Sequence, residues 1–160
     1  TRFIPIDMFS RAPASLVRAR RNMDFKALLK IGIVAGVFMN ALDIIVQGTL
    51  MAGLYTAPVF RNPEEEIVYL VLTDFVAAFV FAWIYLKLGS ATGPGVAGGA
   101  TFGFYAGMLY SLPMFYAMHL LFNGYTFELA WLNTVYQVIV YVIVGATAGA
   151  LNKARPAPSR

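Results

Sequence analysis

Asp43 and Asp74 are the residues of this chain that invite a chemical reading, because each stands inside a long apolar run. Asp43 lies in "KIGIVAGVFMNALDIIVQGTLMAGLY", where Asn40, Asp43 and Gln47 recur at three- and four-residue steps and so share one helix face. Asp74 interrupts "IVYLVLTDFVAAFVFAWIYLKL". Two further apolar runs contribute His119, and Asn133 with Gln137 one turn apart. A carboxylate near the middle of a bilayer costs roughly 2.5–3.5 kcal/mol on insertion scales, so it faces the protein interior, pairs, or carries a proton. Two chemistries fit these residues. One is a proton, cation or polar-ligand site lined by Asn40, Asp43, Gln47, Asp74, His119, Asn133 and Gln137. The other is a hydrogen-bonded network that sets the register of packed helices.

Several other chemistries are excluded. The chain has no cysteine, which removes disulfides, thiolate catalysis and cysteine-ligated metal. Its single histidine rules out multi-histidine metal sites and a bis-histidine haem within one chain. His119 alone has the chemistry to ligate the magnesium of a chlorophyll-type pigment, although a hydrogen-bonded structural role is the more ordinary use. "GPGVAGG" lacks the Lys-Ser/Thr ending of a phosphate-binding loop. No nucleophile–base arrangement emerges, so the expectation is a protein that is not an enzyme. No cofactor beyond bound lipid is called for.

These residues must be positioned by membrane helices. Of the 160 residues 59% are hydrophobic and 12% charged, and the mean hydropathy is +0.68. A soluble domain carries about 25% charged residues. A span needs about 20 apolar residues. Four windows qualify, at about 30–54, 67–88, 98–122 and 128–151. Their short connections predict an all-α integral membrane protein, an antiparallel four-transmembrane-helix bundle. No short apolar region with a small-residue cleavage site lies near Thr1, so a removable signal peptide is not expected.

Lys and Arg orient the bundle. Arg2, Arg11, Arg18, Arg20, Arg21, Lys26 and Lys30 precede the first window, Lys87 ends the second, and Lys153, Arg155 and Arg160 follow the fourth. All fall on one side, and only Arg61, beside Glu64, Glu65 and Glu66, falls on the other. The positive-inside rule then makes both termini cytoplasmic. The net charge of +4 is explained by topology, so nucleic acid is not an expected partner. Residues 1–29 read as a basic cytoplasmic arm whose Arg11, Arg18, Arg20, Arg21 and Lys26 suit anionic lipid or a partner's cytoplasmic face. Residues 152–160 form a short tail. Trp83, Tyr85, Tyr125, Phe127 and Trp131 fit interfacial aromatic belts.

Small residues mark how the helices meet. Gly95, Gly99, Gly103, Gly107 and Ser111 recur every four residues. Gly32 and Gly36, Ala78 and Ala82, and Gly145 and Gly149 repeat the spacing on the other windows. Such rows let backbones approach closely. Each row is small toward the basic end and polar toward the other, which predicts a bundle tight at one end and wider and polar at the other. "ALDIIVQG" (41–48) and "AMHLLFNG" (117–124) hint at an internal repeat that would make Asp43 and His119 equivalent.

The general pattern is similar to small four-helix bacterial membrane proteins, a likeness that carries no functional residues. The leading expectation is a non-enzymatic accessory or scaffolding subunit of a larger bacterial inner-membrane complex of photosynthetic or respiratory type. Its partners would be other membrane subunits and anionic lipids. The alternative is a small ligand-binding or transport protein with an outward-facing polar cavity around Asp43 and Asp74.

Overall fold

The computed structural model describes residues 24–55 and 63–152, and for 63–66 the backbone alone. Four long helices form from the four apolar windows: α1 Phe25–Ile45, α2 Pro63–Leu88, α3 Gly95–Leu121 and α4 Phe127–Leu151. Among the described residues there is no strand. α1 begins where Asp24 caps it, its carboxylate accepting from the Ala27 amide. The helix therefore starts inside the stretch 1–29 expected as an arm and includes Lys26, which is exposed. Arg11, Arg18, Arg20 and Arg21 lie outside the described residues, as do 153–160. Beyond Ile45, α1 widens into a π-helical turn, Val46–Leu50, closed by the Met51 amide on the Val46 carbonyl at 2.7 Å. Thr126 caps α4 through the Leu129 amide.

Three stretches are long and apolar enough to cross a membrane: Phe25–Leu50, Ile67–Thr92 and Phe127–Leu151. The third of the four expected windows, α3, is not among them. α3 is 27 residues long, but its glycines, tyrosines, Ser111, Pro113 and His119 dilute its apolar content. Glycine contributes close packing and almost no hydrophobicity, so the residues that make α3 a good neighbour make it a poor hydrophobic segment.

The helices run alternately up and down in a ring. Gly32 and Gly36 of α1 face Phe79 and Phe75 of α2, and Gly99, Gly103 and Gly107 of α3 face α4 in descending order from Gly145 and Gly149 to Val138. Phe81 and Tyr85 of α2 meet Phe102 of α3 edge-on, at 5.5 and 5.3 Å between ring centres. The fourth side of the ring is α4 against α1, with Asn133 reaching Gln47 and Tyr136 reaching Asp43.

The small residues work in two different ways. Between α3 and α4 they bring backbone onto backbone, since a Cβ at Gly99 would collide with the Gly145 carbonyl and one at Gly145 with the Gly99 carbonyl. Gly103 stands against the Tyr141 carbonyl, and Gly149 against that of Gly95. Ser111 ends the row fully buried and satisfies its hydroxyl on the Gly107 carbonyl at 2.6 Å. Between α1 and α2 the glycines instead form sockets for the rings of Phe75 and Phe79. At the start of α3, Gly93 and Gly95 take φ values of 99° and 69°, a backbone that residues with a Cβ rarely adopt.

Two apolar cores result. The larger gathers Ile31, Ala35, Met39, Ala78, Phe81, Ala82, Val140, Val144 and Ala148 toward the end of the bundle that bears Lys26 and Lys87. The smaller, Met51, Tyr125, Leu129 and Ala130 with Phe115 and Met118 against it, fills the opposite end. That far end was expected to be wide and polar. Instead the turn after α1 and the α3–α4 connection fold over it, so the polar layer lies between two apolar ones.

Gly103→Val tests the backbone contact. Forcing a branched side chain against the Tyr141 carbonyl should destabilise the protein by about 1–3 kcal/mol or prevent folding altogether. Gly53→Ala, where nothing lies within 4 Å of the added carbon, should be close to neutral. Unfolding in mixed micelles, followed by Trp83 and Trp131 fluorescence, compares the two.

Candidate polar site

The polar layer is built as rungs between α1 and α4, with α2 closing one side. On α1, Asp43 and Gln47 stand one turn apart. On α4, Asn133 and Tyr136 do the same, and the helices run in opposite directions, so the pairs meet in order. Gln47 donates through Nε2 to Asn133 Oδ1 at 3.1 Å, and the Tyr136 hydroxyl donates to Asp43 Oδ1. Asn133 also donates to the Leu129 carbonyl, 3.0 Å away, within its own helix. Asn40, one turn nearer the basic end, donates to the Gly36 carbonyl at 2.9 Å and reaches the Val71 carbonyl of α2 at 3.5 Å.

Asp74 of α2 lies beside Asp43 of α1. Asp74, Asp43 and Tyr136 thus bring three helices together around two carboxyl groups and one phenol.

Two tyrosines from the connecting segments complete the layer. The Tyr55 hydroxyl donates to Gln47 Oε1 and lies 2.9 Å from Asn133 Oδ1. The Tyr125 hydroxyl lies on the same side, beside Asn133. Burial raises both phenols above their ordinary pKa, and for Tyr125 the neighbouring Tyr55 adds to the rise. Both therefore remain neutral O–H groups across the physiological range. Asn133, 1% exposed, is the hub on which Gln47, Tyr55 and Tyr125 converge. Among the described residues no buried side-chain nitrogen or oxygen lacks a partner.

The structure thus brings together Asn40, Asp43, Gln47, Asp74 and Asn133 of the residues singled out in the sequence. It does not bring His119 or Gln137 to them. His119 Nδ1 lies 2.8 Å from the Tyr125 carbonyl, and its ring packs edge-on against Phe127 at 5.6 Å. That contact anchors the α3–α4 connection, so the equivalence with Asp43 suggested by the repeat has no counterpart in their surroundings. Gln137 is half-buried beside Tyr136, outside the hydrogen-bonded chain. Tyr55 and Tyr125 are the members that sequence reading missed. Their only signal was a tyrosine just beyond a helix end, which interfacial aromatics share. Among the described residues there is no cluster of three or more His, Cys, Asp or Glu able to hold a metal ion.

No protein-family profile, curated protein or solved structure matches the chain. The site is consequently read from its own geometry.

A double-mutant cycle on Asp43→Asn and Tyr136→Phe measures the rung that joins α1 to α4. Interhelical hydrogen bonds inside membrane bundles average about 0.6 kcal/mol and reach about 1.7. The coupling here should fall in the upper part of that range, because the acceptor is a carboxyl group in a partly buried site. Coupling near zero in mixed-micelle unfolding would show that the two side chains do not depend on each other.

Proposed function

We propose that this chain is a four-span integral protein of the bacterial inner membrane, with both termini cytoplasmic, and that it serves as a non-enzymatic accessory or scaffolding subunit of a larger membrane assembly. The observation that carries this reading is the use made of the interior polar groups. Gln47, Tyr55 and Asn133 bond to one another, and Tyr136 bonds to Asp43, so both groups tie the segment around the end of α1 to α4. Polar groups spent on one another in this way hold helices in register, as buried polar groups in membrane bundles do. The interior then supports a rigid shape, and the exposed apolar faces of the helices are left to lipid and to other subunits. The one-sided Lys and Arg distribution supports the orientation. The close packing of the α3 glycines along α4, which is apolar enough to cross, supports α3 as the fourth span.

A second reading, a ligand-binding or transport protein working through Asp43 and Asp74, is favoured by the carboxyl pair itself. Two acids side by side on neighbouring helices are groups that a transport cycle can use to load and release a cation or proton. Access from the far end would require Tyr55 and Tyr125 to swing away from Asn133.

Native mass spectrometry of the protein extracted gently from its own membrane separates the readings. The subunit reading expects a stoichiometric assembly with larger polypeptides, weakened when residues 1–23 are deleted and unchanged by Asp74→Asn. The transport reading expects the chain alone or with copies of itself, and an Asp74→Asn variant that folds but loses binding or flux.

A further inference from the structure

Tyr141 and Gln137 are interior polar groups that the rungs between α1 and α4 leave over. Tyr141 is 8% exposed, yet its hydroxyl has no hydrogen-bond partner among the described residues. Its ring stands between Phe81 of α2 and Tyr110 of α3, at 5.6 and 5.8 Å between centres. The hydroxyl lies within the electrostatic reach of Tyr110, Asp74 and Asp43. Gln137 precedes Tyr141 by one turn on the same face of α4. It is half-buried and likewise without a hydrogen-bond partner among the described residues. Asp74 lies two turns from Phe81 on one face of α2, on the side toward the far end. Tyr141 leans toward the N-terminus of α4, which is also the far end, and so toward Asp74.

A phenol and an amide left unpartnered away from water are costly, and these two converge on a carboxyl group. From Ile31 to Asn152 the only Lys or Arg residues are Arg61, before α2, and Lys87, in its last turn. The interior therefore holds no Lys or Arg to set against Asp74 and Asp43. The carboxyl group, the amide oxygen and the phenol oxygens all accept, and the rings of Phe81, Tyr110 and Tyr141 offer faces that attract positive charge. A cation from outside the chain completes the set. The way in selects an organic one. α2 and α3 meet through Phe81 and Tyr85 on Phe102, toward the basic end, and their backbones hardly approach. Toward the far end Ala77 and Ala106, both small, border the seam with Tyr110, which is 47% exposed. In a bundle of four spans that seam opens on lipid, where a bare inorganic ion is prohibitively costly and a charge carried on an apolar body is less so.

We infer that the chain binds a lipid-soluble organic cation among α2, α3 and α4, its ammonium group between Asp74, Gln137 and the Tyr141 hydroxyl and its apolar body in the seam between α2 and α3. The inference rests on the ligand-binding reading of Asp43 and Asp74 and on α3 as a span, and it adds the ligand's class and a lateral entry. Tyr136 keeps one oxygen of Asp43, which leaves Asp74 as the carboxyl group that meets the ligand. Tyr55 stays on Asn133 throughout, since nothing enters from the far end.

The full chain in lipid nanodiscs, with empty nanodiscs as the blank, is titrated with radiolabelled dodecylammonium, with dodecanol of the same chain length, and with sodium ion. Saturable binding of dodecylammonium above the blank is expected, and none of dodecanol. Asp74→Asn should weaken that binding about tenfold and Tyr141→Phe about fivefold, the losses of a charged and of a neutral hydrogen bond. Ala106→Phe, which fills the seam, should weaken it as well, whereas Leu109→Phe on the exposed side of α3 should leave it unchanged. Circular dichroism and elution volume establish that each variant is folded, and the two near-isosteric changes at Asp74 and Tyr141 carry the test if Ala106→Phe is not. Equal binding of dodecanol, or binding indifferent to Asp74→Asn or to a folded Ala106→Phe, overturns the inference. Sodium bound in an Asp74-dependent way without dodecylammonium overturns it while the ligand-binding reading stands. Neither cation bound overturns both.

Discussion

The contact between the Gly99 and Gly145 backbones is the constraint from which the rest of the arrangement follows. Without a side chain on either glycine, α3 and α4 approach until carbonyl oxygens meet α-carbons, and Gly103 and Gly149 continue the contact on either side. Close packing of this kind gains dispersion energy over the whole length of a helix pair, which matters where lipid is as apolar as the side chains it would replace. It also assigns α4 its place. With one face taken by α3, the opposite face, bearing Asn133, Tyr136, Val140 and Val144, is the one presented to α1.

What α4 presents to α1 is layered. Toward the basic end, Val140, Val144 and Ala148 meet Ile31, Ala35 and Met39 in an apolar core. Toward the far end the contacts turn polar, and there the spacing of α1 and α4 matches rung for rung. The π-helical turn at Val46–Leu50 follows directly after Asp43, at the point where Gln47 must face Asn133 and the chain must return so that Tyr55 reaches both. Dispersion sets how near the helices stand, and the hydrogen bonds select one register among those that dispersion alone would allow. A single step of slippage would leave Asp43 and Asn133 unpaired in an apolar interior, at a cost of a few kcal/mol.

Much of this was legible in the residues. Helix positions followed from apolar runs, because a run long enough to cross a bilayer has few other ways to satisfy its backbone. Helix-to-helix closeness followed from four-residue glycine spacing, and Asn40, Asp43, Gln47, Asp74 and Asn133 stood out because polar groups in such runs need partners. His119 and Gln137 stood out on the same ground and were placed elsewhere. A polar residue in an apolar run announces that it needs a partner, but not which one. His119 found a backbone carbonyl six residues away, a local solution that intrahelical spacing does not display.

The identity of the partners was a tertiary matter. Tyr55 and Tyr125 join Asn133 from segments outside the long helices, where chain reversal and not periodicity decides what meets what. The same folding-over closed the far end with Met51, Tyr125, Leu129 and Ala130, although the rows of small and polar residues pointed to an opening. Sequence alone determined the helices, their apolar character and the residues that could not be left facing lipid, because those are properties of single segments against a solvent. The tertiary structure decided that Gly32 and Gly36 hold phenylalanine rings while Gly99 and Gly145 hold backbone. It also decided that Asp43 answers to both Asp74 and Tyr136, because such choices depend on which neighbour fills the space across from each residue.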